Sequence, residues 1–232
     1  MLGYPTTFIH MTCVNLLASS KFHDKRVAYV ALCVLMDEKS EVLLLTSHTI
    51  KKDLENSNQY IVSAALNAIG EVCTGDMCRD SAPDVIKLLS STNPFIKKKA
   101  ALALSKIIRR CPELTETVAE KLKSIFEDKN HGVLLAGLSL ASQIFKSEPQ
   151  YIDKYRKYLN NLMRMMKTLS STNYAPEYDI NGVTDPFLQV KILETLSHFG
   201  KDNADTSEEM NDLLASVNYF IKKTKKFTFK PF

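Results

Sequence analysis

The residues with reactive side chains are scattered along the chain and match no catalytic motif. Cys73 and Cys78, the closest pair of cysteines, are separated by four residues, and no second pair completes a zinc site. The sequence contains no Gly-rich phosphate loop, no HExxH zinc motif and no GxSxG nucleophile turn. The five histidines are isolated from one another. We therefore expect a protein that is not an enzyme and that uses no metal or other cofactor.

The cysteines and the apolar segments indicate where the protein resides. The five cysteines are odd in number and lie mostly inside apolar runs, which favours buried thiols in a reducing compartment. The N-terminus lacks the basic segment and apolar stretch of a secretory signal, and no apolar run approaches the ~20 residues that a membrane span requires. We expect a soluble cytoplasmic protein.

The positive charge is concentrated at the C-terminus. The formal net charge is +4, and residues 217–232 alone contain five lysines and no acidic residue. The rest of the chain is close to neutral, which argues against a nucleic-acid partner. Phenylalanines alternate with these lysines, a composition that can bind anionic membranes. We expect this tail to be disordered, as chain ends commonly are.

A second basic segment lies in the middle of the chain. Lys97, Lys98 and Lys99 precede Arg109 and Arg110 in one predicted helix. The simpler interpretation is a solvated helix face with cations at its C-terminal end, where the helix dipole favours them. The alternative is a surface for acidic lipids or for an acidic partner.

A short block of sequence recurs about every 35 residues, with one longer last interval. Each copy opens with Asp or Asn and ends on a leucine after small or apolar residues. The copies are DKRVAYVAL at 24–32, NQYIVSAAL at 58–66, NPFIKKKAAL at 93–102, NHGVLLAGL at 130–138 and DPFLQVKIL at 185–193.

The repeat predicts pairs of antiparallel helices. About 35 residues accommodate two helices of about four turns each and their connections. The opening Asp or Asn is a good N-cap, and Pro94 and Pro186 suit the first helical position. The small residues of the first four copies allow close helix packing: Ala31, Ala65, Ala101 and Gly137. The predicted fold is all-α, a HEAT/armadillo-like α-solenoid in which each repeat contacts its neighbours.

The predicted helices are 6–19, 24–38, 41–55, 58–73, 77–90, 94–110, 113–127, 131–146, 150–169, 186–199 and 206–220. The polar, turn-rich segment from Ser170 to Thr184 is a loop inserted between repeats and explains the long last interval. We expect residues 1–216 to form a partial solenoid domain and residues 217–232 a basic, aromatic tail. Neither end shows the polar cap of a finished solenoid, which indicates a segment of a longer one.

Apolar residues near the N-terminus exceed those needed for one buried stripe. In the first predicted helix, Met11 and Val14 lie on the side opposite the core sector. In the helix beginning at Glu41, Leu44 and Leu45 lie off the inward stripe. Such residues indicate either a protein interface or burial between neighbouring helices of the solenoid.

Several runs resemble gamma-adaptin, the large subunit of the trans-Golgi and endosomal clathrin adaptor complex. The longest is YAPEYDINGVTDPFLQVKIL at 174–193, and the resemblance is collinear over about residues 1–216. The shorter runs are MLGYP at 1–5, DKRVAY at 24–29, IKKDL at 50–54, DMCRD at 76–80, IKKKAAL at 96–102, KNHGVL at 129–134 and MNDLLA at 210–215.

The resemblance implies a non-catalytic trunk that assembles with beta-, mu- and sigma-type adaptor subunits. It implies vesicle-mediated protein transport between the trans-Golgi network and endosomes, with peripheral attachment to Golgi, endosomal and clathrin-coated vesicle membranes. It also implies contact with an Arf-family GTPase, and carried over by position that contact falls on Met11, Val14 and Leu45. The family's first helices, C-terminal trunk, hinge and ear have no counterpart in this sequence.

Two alternatives remain open at this stage. One is the large subunit of the plasma-membrane adaptor or of coatomer, which shares the solenoid trunk. The other is a HEAT-repeat scaffold for partners outside vesicle coats, because the repeat pattern alone does not identify a partner.

Overall fold

A computed structural model describes residues 6–170, 176–180, 183–201, 207–208 and 210–215. Most of these residues are helical, including 207–208 and 210–215. The helices are α1 Thr7–Leu17, α2 Phe22–Leu35, α3 Val42–Leu54, α4 Gln59–Glu71, α5 Gly75–Leu88, α6 Pro94–Arg110, α7 Thr115–Ala119, α8 Leu122–Phe126, α9 His131–Ser147, α10 Tyr151–Tyr155, α11 Leu159–Ser170 and α12 Pro186–Gly200. Short 3-10 turns occupy Pro112–Leu114, Arg156–Tyr158 and Pro176–Tyr178.

The helices of the first compact unit, Met1–Gln143, stack in two layers. Successive helices pair, α1 with α2, α3 with α4 and α5 with α6. Within the layers, α2 contacts α4 and α4 contacts α6, while α1 contacts α3 and α3 contacts α5. This is the neighbour-to-neighbour packing of a HEAT/armadillo α-solenoid, which confirms the predicted fold class.

The second compact unit, Ile144–Phe232, has its own apolar core. Helix α12 packs on α10 and α11, and its buried side chains include Leu188, Ile192 and Phe199. Before α12, two short antiparallel strands pair, β1 (Asp179–Ile180) with β2 (Val183–Thr184). The predicted loop between the repeats therefore contains a small β-ribbon.

The repeat helices begin where their caps predict, with one exception. The side chains of Asn58, Asn93, Asn130 and Asp185 accept hydrogen bonds from backbone N–H groups of the first helical turn. Each bond satisfies a donor that the helix itself leaves unpaired. The prediction is wrong for Asp24, which lies inside α2 and accepts a 2.8 Å hydrogen bond from the Ser19 hydroxyl.

Pro94 and Pro186 stand at the start of α6 and α12, as predicted. Asp185 has a left-handed backbone (φ 45°), and its N–H donates to the Tyr178 carbonyl at 3.0 Å. This turn joins the β-ribbon to α12. The cost of the left-handed conformation is smaller for Asp than for most residues with a Cβ.

Two of the predicted helices are interrupted. The segment 113–127 forms a 3-10 turn followed by α7 and α8. The two helices are separate because the backbone hydrogen bonding changes at Lys121, whose N–H donates to the carbonyl of Val118, three residues earlier. The segment 150–169 contains a 3-10 turn at Arg156–Tyr158 between α10 and α11. Hydrophobic periodicity cannot reveal such breaks, because both sides of each break still face the core.

The small repeat residues lie at close helix contacts in three copies. Ala65 and Ala101 are fully buried, whereas Ala31 is only half-buried. At Gly137, a Cβ would overlap the side chain of Ile125. Gly is therefore required there for α9 to approach α8.

All five cysteines are free, and four of them are buried, with Cys33 half-buried. Burial raises the pKa of each thiol, to about 12 for Cys73 and about 11 for Cys78. The prediction of buried thiols is confirmed for those four. The C-terminal tail lies outside the described residues, so its disorder and the 1–216 domain boundary stay predictions.

Candidate protein-interaction surfaces

The three residues singled out from the sequence lie on two adjoining helices. Met11 and Val14 are one turn apart on α1, and Leu45 is in the first turn of α3, which contacts α1. Met11 and Leu45 are 51% and 59% exposed, while Val14 is half-buried. Leu44, 62% exposed, extends the apolar area. We call these four residues the α1–α3 patch.

The inward stripe of α3 is as predicted, since Leu43, Ile50 and Leu54 are buried. The apolar residues off that stripe, Leu44 and Leu45, are therefore not covered by the described part of the protein. Burial of apolar surface is favourable by about 25 cal/mol per Å² of area removed from water. Two neighbouring leucines that stay exposed do not gain this free energy. An uncovered apolar patch of this kind is typical of a protein-binding surface.

A buried polar network joins α3 to α2 and to the end of α1. The Lys25 ammonium group donates to both carboxylate oxygens of Asp53 and to the Leu17 carbonyl, at 2.7–2.9 Å. The Tyr29 hydroxyl donates to Asp53 Oδ2 at 2.7 Å, and burial together with this bond raises the pKa of Tyr29. The network joins the end of α1, α2 and α3 and so positions the α1–α3 patch.

A second surface lies in the other helix layer. A groove of about 510 Å³ runs between α2 and α4, and we call it the α2–α4 groove. Its apolar lining includes Phe22, Val30, Val34 and Tyr60, of which the last three are 60%, 48% and 56% exposed. Exposed valines have a poorer helix propensity than Lys, Glu or Ala, so an exposed valine row is not explained by helix formation.

An aromatic row crosses this layer at the starts of three repeat helices. The ring centroids of Phe22 and Tyr60 are 6.1 Å apart, and those of Tyr60 and Phe95 are 5.9 Å apart. These distances lie in the range of favourable aromatic pairs. Phe22 and Tyr60 line the α2–α4 groove, and Phe95 extends the row to α6.

Polar contacts border the other end of the groove. Glu71, in the groove lining, is ion-paired with Lys106 of α6. The Arg110 guanidinium donates to the carbonyls of Gly70 and Glu71 at 2.7 and 2.8 Å and is ion-paired with Glu38. Arg110 thus satisfies carbonyls at the end of α4 that have no helical partner. The groove has an apolar floor and a charged end.

Several cations of the basic segment in α6 contact neighbouring repeats. Lys97 is paired with Asp128 at 2.8 Å, and Lys99 donates to Asn67 at 3.4 Å. Burial opposes ionisation of Asp128, but hydrogen bonds from Lys97 and from backbone N–H groups lower its pKa. Lys97 and Arg110 therefore connect neighbouring repeats, and Arg109 remains exposed.

Two kinds of site are not found among the described residues. No group of three or more His, Cys, Asp and Glu side chains is close enough to hold a metal ion in that part of the chain. In the same residues, no helix is both long enough and apolar enough to cross a membrane.

The α2–α4 groove is not among the surfaces predicted from the sequence. Val27, Val30 and Val34 recur at helical spacing, so a second apolar stripe was visible in the sequence. It was not recognised because a helix inside a solenoid can be covered on two sides. Only the packing shows that this stripe is uncovered among the described residues.

The sequence matches the family described as "Adaptin N terminal region" over residues 1–227. It is 44% identical over 225 residues to the AP-1 complex subunit gamma of Dictyostelium discoideum and 43% identical over 218 residues to the AP-1 complex subunit gamma-2 of Arabidopsis thaliana. These alignments cover 97% and 94% of the chain and 25% of each relative. The AP-2 complex subunit alpha-1 of Arabidopsis thaliana is 30% identical, covering 86% of the chain and 20% of that relative. The chain spans about a quarter of the length of the gamma relatives.

The fold is similar to that of one chain of an adaptor assembly. A chain of a homology model of the full-length AP-3 complex in an intermediate open conformation superposes with a TM-score of 0.70 at 22% identity. The superposition covers 97% of this chain and 39% of that chain.

Proposed function

The chain belongs to the adaptin N-terminal family, and from that premise we propose that it is part of the gamma-type large subunit of a clathrin adaptor coat. In this role it is a non-catalytic binding scaffold for protein transport between the trans-Golgi network and endosomes. It associates with Golgi, endosomal and coated-vesicle membranes peripherally, through its partners. The observation that carries the proposal is the 44% identity to a gamma subunit across 97% of the chain.

The related alternative of a plasma-membrane adaptor subunit is less well supported. The AP-2 alpha relative is 30% identical, and the two gamma relatives are 43–44% identical. Binding to plasma-membrane adaptor subunits in preference to AP-1 subunits would reverse this choice.

We assign the α1–α3 patch to an Arf-family GTPase. Exposed Met11 and Leu45 and half-buried Val14 provide an apolar contact on two helices that the Lys25–Asp53 network joins at their C-terminal ends. An apolar anchor of this kind contributes most when its centre is fully desolvated by the partner. In this assignment the patch binds the GTP-bound form of the GTPase on the membrane.

We assign the α2–α4 groove to another subunit of the coat complex, in which beta-, mu- and sigma-type subunits are the expected partners. The apolar floor and aromatic rim suit an inserted apolar side chain, and the charged end at Glu71 and Arg110 suits a polar rim contact. The two assigned surfaces lie in different helix layers, so both can be occupied at once.

The test is an affinity capture from cytosol using the tagged full chain, with and without a GTP-locked Arf-family GTPase. Met11→Asp/Val14→Asp is expected to lose the GTPase and keep the adaptor subunits. Val30→Asp/Val34→Asp is expected to do the reverse. Lys123→Asp, at an exposed position of α8, is the matched control and is expected to keep both.

Circular dichroism establishes that each variant is folded before the capture is interpreted. If the folded wild-type chain captures neither an adaptor subunit nor the GTPase, the coat-subunit proposal is wrong and a scaffold for other partners takes its place. If the patch variant still captures the GTPase, only the site assignment is wrong.

A further inference from the structure

The second compact unit exposes a row of cations along one helical segment. This segment runs from α10 through the following 3-10 turn to the end of α11, and its buried side chains recur at helical spacing throughout: Tyr155, Tyr158, Leu159, Leu162, Met166 and Leu169. Its exposed side chains lie away from that buried face: Asp153, Lys154, Lys157, Asn160, Arg164 and Lys167. The four cations span about 20 Å at 1.5 Å per residue, and we call them the α10–α11 stripe.

The charges of the α10–α11 stripe are not neutralised, because its contacts are with uncharged groups. The ammonium groups of Lys154 and Lys157 lie over tyrosine rings, with distances from nitrogen to ring centroid of 5.8 and 5.4 Å. The Arg164 guanidinium donates to Asn161 Oδ1 at 2.9 Å. Within the described part of the chain, no carboxylate forms an ion pair with any of the four cations.

Two carboxylates close to the stripe are bound to other cations. Asp153, on the same segment, is paired with Arg156 at 3.0 Å. Glu194 belongs to α12, which packs on α10 and α11, and it is paired with Lys146 at 3.1 Å and with Lys191 at 2.6 Å. The positive charge of the stripe therefore does not depend on Arg156, whose charge is balanced by Asp153.

A solvated helix face does not require charges of a single sign. The segment from α7 to α8 also exposes six side chains, and there Glu116 and Glu120 balance Lys121 and Lys123. In the stripe, by contrast, two pairs of cations stand three residues apart, where side chains are neighbours on a helix and like charges repel. Neither solubility nor helix formation therefore explains the stripe.

We propose that the α10–α11 stripe binds the surface of an anionic lipid bilayer, as a direct contact of this chain in addition to attachment through its partners. Anionic headgroups attract Lys and Arg side chains that lie near the membrane surface. A small ligand requires a concave site, whereas the stripe lies on one helical segment. A protein partner is a poorer match, because the six exposed side chains include no apolar anchor and Lys is depleted in protein interfaces.

The test is cosedimentation of the full chain with phosphatidylcholine vesicles, with and without an equal amount of phosphatidylserine. We expect binding only to the anionic vesicles, and weaker binding at high salt because dissolved ions screen exposed charges. Lys157→Gln/Arg164→Gln should lose about 25-fold in affinity, since each cation near an anionic surface contributes about fivefold. Lys121→Gln/Lys123→Gln is the matched control. It removes the same charge from exposed positions of the first unit and should bind like the wild type.

A second arm separates the stripe from the lysine-rich segment 217–232. A full chain with the five lysines of that segment changed to Gln should still bind the anionic vesicles. The stripe variant should show the same loss of affinity in this background as in the wild type. Circular dichroism establishes beforehand that each variant is folded.

Four results would overturn the proposal. They are wild-type binding by the stripe variant, an equal loss in the control, no binding by the chain with the altered tail, and no binding by the wild type. Capture of soluble polyglutamate as tight as that of the vesicles, lost in the stripe variant, would replace the bilayer by an acidic protein. The result does not depend on the coat-subunit proposal, because no adaptor subunit is present.

Discussion

Lys25 and Asp53 form an ion pair that is almost completely enclosed by protein. The Lys25 Nζ lies 2.7 Å from Asp53 Oδ2, and the two side chains are 9% and 3% exposed. The Tyr29 hydroxyl and the Leu17 carbonyl complete the hydrogen bonding of the two charges. Because a buried charge is tolerated only with such partners, the network specifies how α1, α2 and α3 pack.

Replacing Asp53 by Asn should strongly destabilise the first unit. The change leaves the Lys25 charge buried without its counter-ion, at a cost of about 3–5 kcal/mol. Urea unfolding followed by circular dichroism measures it. The double variant Lys25→Met/Asp53→Leu removes both charges and should recover part of the loss. If the free energy of unfolding of Asp53→Asn lies within about 1 kcal/mol of the wild-type value, the ion pair is not important for stability.

Gly137→Ala should be destabilising although Ala favours helices over Gly by about 1 kcal/mol. The added methyl group overlaps Ile125, and overpacking of a core costs about 1–3 kcal/mol. Gly75→Ala is the control, because a Cβ there meets only ordinary contacts, the nearest at 3.7 Å. In a double-mutant cycle, Ile125→Ala should reduce the penalty, and additive effects would contradict the overlap.

Asn93→Ala should cost about 0.5–2 kcal/mol through loss of the N-cap of α6. Asn93 also donates to Gln59 Oε1 at 2.6 Å, and Gln59→Ala removes only that bond. Thermal unfolding of both variants separates the two contributions. Equal losses in the two variants would show that the bond to α4, and not the cap, is the important interaction.

The second unit should lose stability below about pH 6.5 because of His198. In the unfolded chain His198 titrates at its ordinary value of 6.5, whereas burial and Lys146 lower its pKa in the fold. As the pH falls from 6.5 towards the lower pKa of the folded state, the unfolded chain therefore binds more protons than the folded chain. The free energy of unfolding decreases over this range. Urea unfolding from pH 8 to pH 5 measures this slope. His198→Phe should flatten it, and an identical slope in that variant would exclude His198 as the cause.

A separate loss is expected at lower pH from Glu194. Hydrogen bonds from Lys191 and Lys146 lower its pKa, against the opposing effect of burial. Its contribution is present above its ordinary value of 4.5 and is lost as the pH falls through the lower folded value. The two groups therefore act in different pH ranges.

Thiol labelling of the native chain at pH 7.5 should modify about one cysteine, Cys33, because reaction requires an accessible thiolate. Four thiols are buried, and burial holds the pKa of Cys73 near 12 and that of Cys78 near 11. Mass spectrometry after maleimide treatment identifies the labelled position. Cys33→Ser should abolish native labelling, and rapid labelling of Cys73 or Cys78 would show that the α4–α5 turn opens in solution.

The sequence by itself determined where most of the repeat helices begin. An N-cap acts within three residues of its own position, so Asn58, Asn93 and Asp185 were recognisable without knowledge of the fold. The repeat of about 35 residues predicted the solenoid for a similar reason, since each repeat packs only on its neighbours. Asp24 was predicted wrongly because a residue suited to capping does not become a cap if the helix starts earlier.

The tertiary structure alone decided which apolar faces are covered and which charges are paired. Val30 and Leu32 are equally apolar in the sequence, yet Leu32 is buried by neighbouring helices and Val30 faces the groove. Lys97 and Lys98 are adjacent, yet only Lys97 reaches Asp128, a partner 31 residues away. The His198 Nε2 is buried without a hydrogen-bond partner among the described residues, and its ring packs on Phe145 of α9, a helix distant in sequence. These outcomes depend on contacts between separate repeats, and local residue patterns do not encode the relative placement of those repeats.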